Sequence, residues 1–75
     1  MTVTIGNRQL AARARDIAER APRGTLERRA AGVLSIALGT TRSAGAARKV
    51  LAEVDQDDIR IRAEQILDEL LKDDV

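Results

Sequence analysis

The chain has no cysteine, histidine, phenylalanine, tyrosine or tryptophan, and only one proline. Each absence closes off a class of chemistry. Without cysteine there is no disulfide framework and no thiolate site. Without histidine there is no base that titrates near neutral pH, and with cysteine also missing the common zinc and transition-metal ligand sets are gone. Aromatic rings on which unpaired bases stack are lacking, which argues against recognition of single strands or RNA loops. The core is also denied the side chains that bury the most area each. No run of about 18 apolar residues is present, so no membrane span is expected. The opening MTVTIGNRQL lacks the charged start and long apolar stretch of a secretory signal, and the expected location is cytoplasmic. Ser35 and Ser43 have no base beside them in the sequence. No catalytic residue, metal ligand or cofactor site is assigned, and the expected function is non-enzymatic.

What the 75 residues do contain is aliphatic and charged: 19 Leu, Ile and Val, 13 Ala, and 13 bases against 12 acids. A chain this short sits near balance between burial and ordering entropy, so self-association is a natural source of further stability. The charges are unevenly placed. Residues 1–49 hold ten bases and three acids, a net of +7, whereas residues 50–75 hold nine acids and three bases, a net of −6. Such an asymmetry points to a partner of opposite charge, including a second copy. The ratio of 11 Arg to 2 Lys, with abundant Ala, has the look of GC-rich bacterial coding, which supplies arginine without selection for it.

Periodicity gives four helices, over 7–21, 25–38, 41–54 and 56–72, preceded by a short strand-like segment, Met1–Gly6. Asn7 is the expected cap of the first, with Leu10, Ala14, Ile17, Ala18 and Ala21 on one stripe. Asp16–Arg20 and Arg15–Glu19 are its expected i,i+4 pairs. Thr25 caps the second, whose run Ala30–Leu38 contains only Ser35 as a polar side chain. A helix apolar on nearly all sides is expected at the centre of the fold, and Gly32 within it is expected to admit a neighbouring backbone. Thr40, Thr41 and Ser43 offer caps for the third helix, and Asp55, Asp57 and Asp58 favour the start of the fourth through the dipole. Short connections give antiparallel neighbours. The fold class is therefore all-α: one domain spanning 1–75, a four-helix bundle closed around Val33–Leu38 with opposite electrical poles at its ends.

Two binding surfaces follow. Ile36 and Ile61 lie off their stripes, and Asp68 and Glu69 lie on the polar side of the last helix. These four residues are the candidate partner contacts of a protein-interaction module that binds another protein or itself. The other surface is Gly39-Thr40-Thr41-Arg42-Ser43, hydroxyls and an arginine at a helix N-terminus, an arrangement that suits an anion. Together with Leu34, Ser35 and Leu38 this stretch resembles the helix-turn-helix of catabolite-activator-type bacterial regulators, which commonly carry L-G-T-T-R at the turn. The resemblance spans residues 34–51. It implies duplex-DNA binding through Thr40, Thr41, Arg42, Ser43, Arg48 and Lys49, with the third helix in the major groove. That family carries an apolar residue six after the turn glycine, where this chain has Gly45. The alternative function is thus a small regulator that binds duplex DNA.

Overall fold

The computed structural model describes residues 6–72, which form four helices and no strand: α1 (Asn7–Arg20), α2 (Leu26–Gly39), α3 (Ala44–Ala52) and α4 (Asp57–Lys72). Of the strand-like Met1–Gly6 segment only Gly6 is described. It is extended (φ −78°, ψ 167°) and occupies the cap position of α1. Asn7 is therefore the first helical residue, not the cap. The Gly6 carbonyl receives the N–H of Gln9 (3.0 Å) and Leu10 (3.1 Å), and the Asn7 amide is used elsewhere.

The turns follow from local chemistry. Pro22, with fixed φ and no N–H, cannot extend α1, although Ala21 N–H still reaches Ile17 O (3.0 Å). Gly24 holds the one positive φ among the described residues, +82°, where a side chain would be strained. Thr25 Oγ1 accepts the Arg28 N–H (3.3 Å) and donates to Pro22 O (2.7 Å), so one hydroxyl fixes both turn and helix start. Ser43 Oγ accepts Ala46 N–H (3.1 Å) and begins α3 three residues later than the periodicity suggests. The delay has a cause: Thr40 and Thr41 turn their hydroxyls back to the last carbonyls of α2, Ile36 O (2.9 Å) and Ala37 O (2.7 Å), leaving the cap to Ser43. Asp57 and Asp58 fill the first turn of α4.

One hydrophobic cluster draws on all four helices. Its largest fully buried side chains are Leu10, Leu34, Leu38, Leu51, Ile66 and Leu67, and Ala14, Ala30, Ala31, Ala47 and Ala63 are as fully enclosed. No polar or charged residue is buried among the described residues. Helix α2 packs against α1, α3 and α4, whereas α1 meets α4 only slightly, so α2 is the central element of the bundle. The radius of gyration, 11.6 Å, is close to the ~11 Å of a well-condensed chain of this length.

The centrality of α2 is one-sided, contrary to the expectation of burial all round. Ala30, Ala31, Leu34, Ala37 and Leu38 face inward, but Ile36 is 67% exposed. Nine residues of helix separate Glu27 from Ile36, half a turn in angle. Glu27 reaches α4, so Ile36 looks away from it. Gly32 and Gly39 stand at i−4 and i+3 from Ile36, on that same outward face. The close approach expected at Gly32 is absent: a Cβ there would meet nothing within 4 Å. Gly32→Ala is expected to raise unfolding stability by about 1 kcal/mol, the helix-propensity difference with no steric penalty. A urea titration checks this, and an unchanged or lower midpoint would mean that the open face is already occupied.

Candidate functional site

Apart from Lys72 at the end of α4, the basic side chains sort into three groups by what they touch. Arg62 of α4 grips Glu27 of α2 with a fork, Nε to Oε2 at 2.7 Å and Nη2 to Oε1 at 3.0 Å. The two side chains are 29% and 37% exposed. The Glu27 hydrogen bond, and then the attraction of Glu27 and Glu69, hold the Arg62 guanidinium above its usual value against partial desolvation. Arg48 of α3 pairs with Asp68 of α4. These two contacts join the basic and acidic parts of the chain across helix boundaries. A second group closes turns: Arg28 donates to Ala21 O (3.2 Å), and Arg60 donates to Val54 O (3.1 Å) while pairing with Asp57 (2.7 Å). Arg20 pairs with Asp16 at 3.2 Å as expected, but Arg15 does not pair with Glu19. In the third group, Arg8, Arg13, Arg15, Arg23, Arg29, Arg42 and Lys49 have no acidic partner among the described residues.

Four of the six residues assigned to DNA contact, Thr40, Thr41, Ser43 and Arg48, make side-chain bonds within the molecule. Thr40 and Thr41 donate their hydroxyls to α2 carbonyls, so neither has a free donor, whereas Ser43 Oγ accepts the cap N–H of α3 and keeps its own O–H. Arg48 is tied to Asp68. Arg42 and Lys49 remain exposed. The outward stripe of α3 is Gly45, Lys49 and Ala52, a face with one polar side chain.

The partner-contact residues are divided. Ile61 is 50% exposed on the face of α4 turned from the core, and Ile36 points away from α4, so the two isoleucines belong to separate surfaces. Asp68 is engaged by Arg48, and Glu69 lies 3.9 Å from Arg62. Asp58 Oδ1 accepts the Ile59 N–H (2.9 Å), Asp57 pairs with Arg60, and among the described residues no three carboxylates gather as a metal site. Ser35 donates to Gly32 O (2.8 Å) within its own helix.

Sequence reasoning missed one concavity. Asn7 Nδ2 donates to Thr41 O and to Thr41 Oγ1, both at 3.1 Å, pinning the start of α1 to the α2–α3 turn. Beside this pin lies an open groove of about 490 Å³ lined by Asn7, Arg8, Ala11, Ala12, Arg15, Leu38, Gly39 and Thr41. Its lining contains two arginines and no acid. Both arginines belong to the unpaired group, seven residues apart on one face of α1. The signal available in the sequence is the Arg8–Ala11–Ala12–Arg15 spacing, and only the Asn7–Thr41 contact shows what it faces.

The chain matches no protein-family model, and neither the curated proteins nor the solved structures hold a match to it. Among the described residues no helix is long and apolar enough to cross a membrane. The Glu27–Arg62 fork is the strongest polar tie between α2 and α4. Arg62→Lys keeps the charge but loses the two-bond geometry, and is expected to lower stability by about 1 kcal/mol, read as a shift of the urea midpoint at unchanged helix content.

Proposed function

We propose that this chain is a non-enzymatic helical interaction module that binds a protein surface, another copy of itself included, through helix faces turned from its core. The supporting observation is where its scarce large side chains go. A chain without aromatic residues leaves Ile36 67% and Ile61 50% exposed, each on the outward face of a helix whose inward face is fully used. Ile36 stands between Gly32 and Gly39, whose open surroundings leave it as an isolated apolar knob. Covering such side chains is a usual source of association energy.

A second reading, a duplex-DNA-binding regulator, draws on Arg42 and Lys49, which lack acidic partners among the described residues. Against it stand the Arg48–Asp68 pair and the sparse outward face of α3, since a recognition helix needs several side chains that reach base edges.

Both readings meet in one experiment. Sedimentation of the chain is measured with and without fluorescent random-sequence duplex, at low and at moderate salt. The interaction reading expects self-association, or complex formation with a protein partner, that is lost in an Ile36→Ser, Ile61→Ser double variant of unchanged helicity, and no duplex binding at either salt. Duplex binding that falls steeply with salt would overturn it and move the function to the Arg42–Lys49 segment.

A further inference from the structure

The groove on α1 and the outward face of α4 match each other in charge and spacing. On α1, Arg8 and Arg15 are seven residues apart, about 10.5 Å along the axis, with Ala11 and Ala12 between them. Both arginines lack an acidic partner among the described residues, and the two alanines with Leu38 give the groove an apolar lining. Gly39 adds no side chain to its edge, and a Cβ there would touch nothing within 4 Å. On α4, Asp57 and Glu64 are also seven residues apart, with Ile61 on the same stripe between them. Ile61 is half exposed. Glu64 has no ion pair among the described residues, and Asp57 has only its local pair with Arg60, in which its own side chain is 76% exposed. Exposed local pairs of this sort exchange at small cost.

We infer that the α1 groove receives the outward face of α4 from a second copy of this chain. This rests on the interaction-module reading and names its partner and its two surfaces. With the helices antiparallel, Arg8 meets Glu64, Arg15 meets Asp57, and Ile61 descends opposite Ala11, where the small side chains leave room for it. An aliphatic knob flanked by carboxylates is the complement of an alanine-lined groove flanked by arginines. A nucleic-acid backbone fits the groove less well, because it offers charge but no apolar group for the Ala11–Ala12–Leu38 surface, and the groove has no aromatic ring for a base. Within one molecule the match goes unused, since α2 stands between α1 and α4.

The experiment is a charge exchange followed by sedimentation at low salt, with circular dichroism to confirm folding. Arg8→Glu places an acid in the first turn of α1, where the helix dipole favours it, so the variant keeps its fold. The wild-type chain is expected to associate, less so as salt rises. Arg8→Glu and Glu64→Arg are each expected to weaken association by about tenfold, and an equimolar mixture of the two variants to recover it, because every junction between unlike copies carries either the native or the exchanged opposite-charge contact. Ile61→Ser is expected to weaken association at every salt concentration. A mixture that stays dissociated, or variants that associate like wild type, would overturn the inference. Wild-type association that survives both charge variants but disappears in Ile36→Ser would overturn it while leaving the interaction-module reading in place. A wild-type chain that stays monomeric and binds duplex would overturn both.

Discussion

Everything in this molecule depends on how closely four helices can approach when the residues between them are small. Without aromatic rings, no single side chain can bridge a wide gap. The interior closes because Ala14, Ala30, Ala31, Ala47 and Ala63 let backbones come near enough for Leu10, Leu34, Leu38, Leu51, Ile66 and Leu67 to fill what remains. Helix separation follows the side chains at the contact, and dispersion falls off quickly with any gap. Helix α2 carries this most heavily because the other three all rest on it. The same economy shapes the exterior: where Ala11, Ala12 and Gly39 line a surface and no other helix covers them, a groove is left.

Charge is arranged around that frame by contacts distant in the chain. Along the sequence, positive and negative residues divide near residue 50. In space the division is softened at two places, Glu27 with Arg62 and Arg48 with Asp68, each of which couples a residue of one half to one of the other. The Glu27–Arg62 fork also places an acid in the first turn of α2, so one carboxylate serves both the dipole and the inter-helix tie. What stays unpaired is concentrated in the basic half, on α1 and in the two turns that bracket α2. The acidic residues Asp73 and Asp74 lie outside the described residues.

The parts of the fold governed by near neighbours along the chain can be read from the order of residues alone. Stripes of spacing three and four locate the four helices to within three residues at every end. Thr25 and Ser43 act as caps where capping residues are expected, and Pro22 and Gly24 break the chain where they should. What escapes such a reading is governed by contacts far along the chain. Asn7 is a good capping residue, yet its amide is drawn to Thr41, 34 positions away, and Gly6 is left at the cap. The nearly all-apolar run of α2 conceals Ile36, because hydropathy cannot say which side of a central helix lacks a neighbour. Gly32 suggests a close approach that no element makes. The threonines of the turn resemble anion donors, but the carbonyls of α2 claim them. The Arg8–Arg15 spacing acquires meaning only with the α2–α3 turn lying across from it.

The alanine-lined interior also widens the usual pattern of mutational sensitivity. In most small domains the bulkiest core positions are the most sensitive, and small residues are replaced with ease. Here Ala14, Ala30, Ala31, Ala47 and Ala63 have no exposed surface at all, so any added methylene must push two helices apart, at about 1–3 kcal/mol each time. Leucine and isoleucine positions can exchange shapes among themselves at lower cost. The buried alanines are therefore as closed to enlargement as the buried leucines are to truncation.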